Sequence, residues 1–248
     1  MKANSIVTLL MLAVGLTSCL ESSLDATTTL SDNDLDYLDS TSKLSDQTND
    51  PYRLFAIIPS GETLKIIVEY AGGCSSHNFA TFWDGNTSSE EAIIYLLHNG
   101  NGDLCEAYLR DTVEVNIAKI ITSDAYGAGR TIVFINASNN REIKIDPKLA
   151  AIAQGEECMH STSLLGTSCG NGVWDNQWLL LQEQVPEHDK VWLQPITNTT
   201  NVALRKPETG NYLVGVTLLF GYDQLDQQCQ TGPDGSVIPV AINCIEKN

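Results

Sequence analysis

The chain has 248 residues, of which 42% are hydrophobic, and it carries 14 Lys and Arg against 31 Asp and Glu, a formal net charge of -17. Proteins that bind nucleic acid need a basic surface to neutralise phosphates, so this charge, without any Lys/Arg cluster, excludes that class. The length suffices for one large domain or two small ones with a substantial core.

The N-terminus combines one basic residue, Lys2, with an apolar run from Ile6 to Leu16 and with small residues before Cys19. The run has the length of a signal-peptide core and is too short to span a bilayer. The pattern resembles the lipobox of bacterial lipoproteins. That resemblance implies removal of residues 1–18 and a Cys19 that carries a diacylglyceryl thioether and an amide-linked acyl chain such as palmitate, which together anchor the protein to a membrane. An ordinary secretory signal, with Cys19 incidental, is the alternative.

Leu20 stands directly after that cysteine, where Gram-negative lipoproteins of the inner membrane usually carry aspartate. The resemblance therefore implies an exported protein held at the outer membrane of a Gram-negative bacterium, facing either the periplasm or the outside. Residues 19–50 hold eight acidic residues against Lys43, a net charge of -7 (one minus eight). Such a segment repels itself, and we predict that it is a disordered tether.

Beyond the tether, short runs of β-branched and aromatic residues alternate with turn signals. Leu54–Ile58 and Thr63–Tyr70 predict a first hairpin. Ile93–Leu97 is predicted to pair with the segment after Cys105 across an Asn-Gly turn. Six to eight such strands indicate a β-sandwich domain over residues 51–147.

A further predicted hairpin, around Asn139-Asn140, closes this first domain. The helix-prone stretch Lys148–Gln154 follows Pro147 and marks a domain junction. Strands resume near Gln177 and predict a second sandwich over residues 148–248. The sequence thus predicts an all-β protein of two disulfide-bonded, sandwich-like domains, with a single larger sandwich as the alternative.

Six cysteines remain besides Cys19, and an even number in an exported chain predicts three disulfides. Sequence alone leaves all 15 connectivities open. Sequential pairing closes short loops that suit hairpins: Cys74 with Cys105, Cys158 with Cys169, and Cys229 with Cys244. A zinc site is the lesser alternative because no C-x₂-C spacing occurs.

The most concentrated polar cluster follows Gly72-Gly73-Cys74 and includes His77, His98 and Asp103. The Gly-Gly-Cys-x-x-His turn loosely resembles uncharacterised secreted lipoproteins of β-sandwich type, a resemblance that implies no activity. If Cys74 and Cys105 are bonded, their Cα atoms lie within about 7 Å, which brings the histidines together. Imidazole and carboxylate ligands suit zinc or copper, so the three side chains are a candidate metal site. The alternative is a strand corner in which the histidines serve structure alone.

No catalytic signature such as G-x-S-x-G or H-E-x-x-H occurs, and no cofactor motif is present. Trp178 and Trp192 lie in apolar strands and are predicted core residues. Trp174 lies in a polar loop and is the predicted ligand-binding tryptophan. We therefore predict a non-catalytic binding or structural module with a protein or glycan partner. The alternatives are a metal-binding protein or metal-dependent enzyme, and an inhibitor that presents the Cys158 to Cys169 loop to a protease.

Overall fold

The computed structural model describes residues 30–34, 36–37, 44, 49–86, 89–120, 130–167, 173–198, 207–222 and 234–248. Within them the chain is almost entirely strand, which confirms the predicted all-β class. The elements are β1 (Leu30–Asp34), β2 (Asp36–Tyr37), β3 (Arg53–Ser60), β4 (Thr63–Gly72), β5 (Asn78–Trp83), β6 (Glu91–Asn99), β7 (Ala107–Asn116), α1 (Ala118–Ile120), β8 (Thr131–Asn136), β9 (Arg141–Ile145), α2 (Pro147–Ala150), β10 (His160–Gly166), β11 (Gln177–Leu181), β12 (Val191–Asn198), β13 (Gly210–Leu218) and β14 (Ser236–Lys247).

Strands before Asp146 form two sheets, with strand orders β1-β7-β4-β3 and β2-β5-β6-β8-β9. Alternate side chains of β4 and β6 are buried, as expected for sheets that each cover one side of a core. Ile66 of β4 and Ile94 of β6 belong to one buried cluster, so the two sheets stack on each other. The predicted hairpins β3–β4 and β8–β9 are both confirmed.

Strands after Met159 form a closed barrel in the order β10-β11-β12-β14-β13. β12 and β14 run parallel, and the other neighbours are antiparallel. Leu179, Val214 and Val240 fill its interior and belong to the same buried cluster as the two sheets. The predicted second sandwich is therefore a sheet that closes on itself, and the domain boundary near Pro147 stays a prediction.

A few specific contacts join the barrel to the sheets. Ile57 of β3 forms an isolated antiparallel bridge with Phe220. The Arg141 guanidinium donates to the carbonyl oxygens of Leu54 (3.0 Å) and Gly221 (2.8 Å). Because each partner comes from a different element, this arginine fixes the segment after β13 against the sheet.

The predicted pairing of β6 with the segment after Cys105 is wrong. β6 pairs with β5 and β8, whereas β7 pairs with β4 and β1 in the other sheet. Residues 100–106 therefore cross from one sheet to the other. An Asn-Gly turn specifies a local reversal, but here the apolar face of each strand finds a different partner, and tertiary packing prevails.

The predicted disordered tether also needs correction, because the described residues 30–34 and 36–37 are strands. β1 pairs in parallel with β7, and β2 pairs in parallel with β5. Each adds to the outer edge of a sheet, where unpaired backbone N–H and C=O groups offer hydrogen bonds that composition cannot reveal. Cys19 and residues 1–18 lie outside the described residues.

Two disulfides are present among the described residues. Cys74–Cys105 is confirmed, with Cα atoms 5.8 Å apart. Cys158 bonds Cys244 instead of Cys169, which overturns the sequential pairing for both and removes the basis for a Cys158–Cys169 inhibitor loop. Cys169 and Cys229 lie outside the described residues.

Strand β10 lies between the helix-prone stretch and Gln177, where the sequence predicted no strand. Its Ser and Thr residues hid the alternating burial of His160, Thr162 and Leu164. Helix α2 covers only four residues of the helix-prone stretch. No helix in the described part of the chain is long and apolar enough to cross a membrane.

Candidate functional site

His77, His98 and Asp103 form one hydrogen-bonded chain. His77 Nδ1 lies 2.8 Å from His98 Nε2, and His77 Nε2 lies 3.1 Å from Asp103 Oδ2. At the other end, His98 Nδ1 lies 3.3 Å from the backbone carbonyl oxygen of Asp50. The structure thus brings together the three residues that the sequence singled out.

Neighbouring strands place the two imidazoles side by side. His77 directly precedes β5, and His98 lies near the end of β6, opposite Phe79 of β5. Gly72, the last residue of β4, leaves the room that His77 needs: a Cβ atom there would overlap His77 Nε2 and come within 2.6 Å of its Cε1. Both histidines are buried.

Asp103 links the turn after β4 to the segment after β6. Its Oδ2 accepts hydrogen bonds from the backbone N–H groups of Gly73 (2.9 Å), Cys74 (2.8 Å) and Ser75 (2.8 Å). Its Oδ1 accepts from the N–H of Cys105 at 2.8 Å. The N–H groups of Cys105, Ser75 and Cys74, that of Cys105 most of all, hold the pKa of the Asp103 carboxyl well below its usual value. The carboxylate is therefore ionised, and both of its oxygens accept hydrogen bonds.

Aromatic rings enclose the histidines. The Phe79 ring stacks on His98 with centroids 4.5 Å apart, and the Tyr70 ring lies 4.5 Å from His77. Tyr52 meets His98 edge-on at 5.7 Å. Burial lowers the pKa of His98 and raises that of Tyr52, because both charged forms lose hydration.

The hydrogen-bond chain has a definite proton requirement. A carboxylate and a carbonyl can only accept, so the outer nitrogens of His77 and His98 must both donate. The inner contact between the rings needs one further proton. Two neutral rings hold two protons between them, so one of the three contacts then lacks a donor.

An open cleft of about 310 Å³ lies beside this chain. Leu104, on its rim, is 92% exposed and is the most exposed large hydrophobic residue of the described chain; Tyr108, nearby in sequence, is 67% exposed. The cleft is lined by Asp50, Pro51, Ala71, His77, His98, Gly100, Gly102, Asp103, Leu104, Cys105 and Glu106.

The short distance between the two histidine rings restricts metal binding at the predicted site of His77, His98 and Asp103. Two nitrogens that bind one zinc each lie about 2.0–2.1 Å from it and outside hydrogen-bond contact with each other. Here the facing nitrogens are 2.8 Å apart, within hydrogen-bond distance, so a metal would have to separate the rings. Within the described residues, the triplets with close donor atoms are Cys74 with Asp103 and Cys105, and Cys158 with Cys244 and Glu246; both use cystine sulfurs. Metal binding by the histidines stays a prediction.

Trp174, the predicted ligand-binding tryptophan, is buried. It is only 4% exposed and packs in the main core, and its indole Nε1 has no hydrogen-bond partner among the described residues. The polar loop around Trp174 predicted an exposed ring, but the indole ring packs inwards against the main buried cluster. Trp178 and Trp192 are buried together in a small separate cluster, as predicted.

No protein-family model matches the chain, and no curated protein matches it in sequence. Two solved structures show local likeness. A NigD-like immunity protein from Bacteroides caccae ATCC 43185 has a TM-score of 0.35 and 19% identity over 45% of this chain and 58% of that one. A putative toxin-related protein from Parabacteroides distasonis ATCC 8503 has a TM-score of 0.34 and 14% identity over 45% of this chain and 60% of that one. The match thus spans less than two thirds of either neighbour, and likeness at this level carries no functional argument.

Sequence reasoning missed two residues of this corner. Leu104 was not singled out, although a lone leucine between Asp103 and Cys105 in a Gly- and Asn-rich turn is a signal of an exposed apolar side chain. Asp50 was assigned to the tether, but its Oδ2 accepts a hydrogen bond from the Gly100 N–H at 2.7 Å. We refer below to the loop of residues 100–106, with Leu104 at its tip, as the Leu104 loop.

Proposed function

We propose that this protein is a binding module that docks a protein partner on the Leu104 loop and the adjoining cleft, without catalysis at that site. The observation that carries the proposal is the exposure of Leu104, a large apolar side chain left in water on a loop that is otherwise tightly fixed. Burying such a side chain contributes roughly 1.5–3 kcal/mol, a gain that folding of this chain leaves unused.

The loop is held from several sides. The disulfide joins Cys105 to Cys74, and the Asp103 carboxylate bonds both ends of the turn. Asn101 donates from its side chain to the Ser76 carbonyl oxygen at 2.5 Å. A preorganised loop loses little conformational entropy on binding, so more of its contact energy becomes affinity. Rigid anchors of this kind typically dominate protein interfaces.

The chemistry of the cleft favours a partner with a basic, partly apolar surface. Asp50, Asp103 and Glu106 line it, and its described lining residues include no Lys or Arg. The formal charge of the chain, -17, adds a long-range attraction for a basic protein. A glycan partner is less favoured, because Trp174, the predicted ligand-binding tryptophan, is buried in the core.

The test places a photo-crosslinking amino acid at position 104 and, as a control, at Leu165, a leucine that is 40% exposed on β10. We expect a specific cross-linked protein from position 104 in cells that make the full chain. Excess wild-type protein should compete it away, whereas protein with Leu104→Asp should not. Equal cross-linking at both positions, or equal competition by both proteins, would refute the docking site.

The anchoring expected from the lipobox remains part of the proposal. Cys19 would carry the acyl chains that hold the module at the outer membrane, so the partner would meet it at the envelope. Metabolic labelling with an alkyne palmitate should tag the wild-type chain and leave a Cys19→Ser variant unlabelled. Equal labelling of both would remove Cys19 as the anchor while leaving the docking proposal intact.

A second candidate function is metal binding, which the convergence of His77, His98 and Asp103 supports. Protein purified without chelators would then hold zinc or copper in stoichiometric amount, and His77→Ala would lose it. Elemental analysis decides the question. Absence of metal in the wild-type protein, or metal that survives both His77→Ala and His98→Ala, would exclude this function.

A further inference from the structure

A second polar constellation lies where the barrel meets the first two sheets, and it involves none of the residues of the Leu104 loop. His188 Nδ1 lies 2.7 Å from Ser236 Oγ. His188 Nε2 lies 3.0 Å from Asp146 Oδ2. A hydroxyl, an imidazole and a carboxylate are therefore linked in series, although no sequence motif announced them.

Each member is held by local backbone structure. Asp146 precedes helix α2, and its other carboxylate oxygen accepts from the Lys148 N–H at 2.8 Å, which orients the carboxylate. His188 closes a tight turn from Val185, whose carbonyl oxygen accepts from the His188 N–H at 3.1 Å. Glu187 within that turn has a φ of 66°, an uncommon conformation for a residue with a side chain.

Ser236 begins strand β14 immediately after Gly235, whose φ of 115° favours glycine. A Cβ at Gly235 would also press against the Lys190 carbonyl oxygen, so the chain needs glycine here. The Trp192 indole N–H anchors the preceding residue by donating to the Asp234 carbonyl oxygen at 3.0 Å. The serine hydroxyl is thus presented to His188 from a fixed strand end.

We propose that Ser236, His188 and Asp146 form a nucleophilic site for acyl transfer from small esters. Asp146 can only accept, so it selects the tautomer with the proton on His188 Nε2. That tautomer leaves Nδ1 free to take the Ser236 proton. Serine hydrolases on unrelated folds use the same three roles, usually with the two ring nitrogens exchanged.

The chemistry balances without a cofactor. Ser236 Oγ attacks the ester carbonyl carbon while its proton passes to His188 Nδ1. The bond from carbonyl carbon to alkoxy oxygen breaks, and the leaving alcohol takes that proton. Water then attacks the acyl-serine and gives a proton to His188. The ester bond to Oγ breaks, the serine regains its proton, and a carboxylic acid is released.

An adjacent open cavity of about 500 Å³ is lined by residues 184–189, including His188. Its volume suits a small ester. Glu187 and Asp189 make its wall acidic, and Glu187 is paired with Lys148 across the turn. The substrate class is therefore a small ester whose acyl and alcohol parts are neutral or cationic. This activity goes beyond the proposed binding function and uses different residues.

The experiment treats the full chain with a neutral fluorophosphonate probe and maps the modified residue by mass spectrometry. We expect covalent labelling of Ser236. His188→Gln should slow labelling at least about 100-fold, the scale of general-base assistance. Asp146→Asn preserves the side-chain acceptor for the Lys148 N–H and should also slow labelling, because it removes the carboxylate that orients the histidine.

Ser163→Ala is the matched control, since Ser163 is a strand serine that donates to Asn211 and contacts no histidine among the described residues. It should leave labelling unchanged. Hydrolysis of p-nitrophenyl acetate should follow the same order across the variants. Circular dichroism and intact Cys158–Cys244 confirm that each variant folds. No labelling of Ser236 in folded wild-type protein, or labelling that is equal in His188→Gln, would overturn the proposal.

Discussion

The facing nitrogens of His77 and His98 lie 2.8 Å apart, and the remaining nitrogen of each ring faces an acceptor that cannot donate. The two imidazoles therefore act as one unit joined to its surroundings and to itself by three contacts. One end of this unit is the Asp103 carboxylate, which also fixes the Leu104 loop. The stability of the histidine pair and the geometry of the proposed docking loop are coupled through that carboxylate.

Replacement of Gly72 tests how tightly this unit is packed. Gly72→Ala places a Cβ against the His77 ring, and overpacking of this kind costs about 1–3 kcal/mol in free energy of unfolding. Gly166→Ala is the matched control, because no atom of the described residues lies within 4 Å of its added Cβ. Urea unfolding should show a lower midpoint for the first variant only. Equal stability of both variants would mean that His77 does not occupy the described position.

Acid should destabilise the protein in two stages. Burial lowers the folded-state pKa of His98, so the unfolded chain binds more protons and stability falls as pH decreases below about 6.5. The pKa of Asp103 is also lowered, so its contribution is complete above its ordinary pKa of 3.8 and is lost as pH falls further. Unfolding measured from pH 8 to 3 should show the first window and the onset of the second. His98→Gln should flatten the first window and retain the second.

The long-range disulfide should contribute more than the short one. Cys158 and Cys244 are 86 residues apart, and Cys74 and Cys105 are 31 apart. In the chain-entropy model the longer loop is worth about 1 kcal/mol more, and removal of either bridge costs about 2–5 kcal/mol. Paired Cys→Ser variants compared by thermal unfolding give the order. Peptide mapping that linked Cys158 to Cys169 would contradict the barrel arrangement.

Contacts fixed by a nearby covalent link could be predicted from the sequence, whereas pairings between distant parts of the chain could not. Convergence of His77, His98 and Asp103 followed from the Cys74–Cys105 bridge, because covalent geometry limits the distance between their strands. The partner of Cys158 could not be predicted, since it depends on how β10 and β14 approach β13 in the closed barrel.

Other errors came from composition. β1 and β2 were hidden because their acidic sequence matches a disordered tether, while their pairing depends on exposed strand edges elsewhere in the chain. Trp174 was misplaced because a turn constrains the backbone without fixing which way an aromatic ring points. No spacing in the sequence predicts the grouping of Ser236, His188 and Asp146, because the three residues come from separate segments of the chain.

The most direct test of the docking site is the affinity of the cross-linked partner for wild-type protein and for Leu104→Ala, measured by calorimetry with purified proteins. Truncating an exposed leucine should change the free energy of unfolding by no more than about 0.5 kcal/mol. If Leu104 is the docking anchor, its loss should weaken binding about 10- to 150-fold, with Leu165→Ala unchanged. Identical affinities for the wild type and Leu104→Ala would contradict the claim that this loop is the binding site.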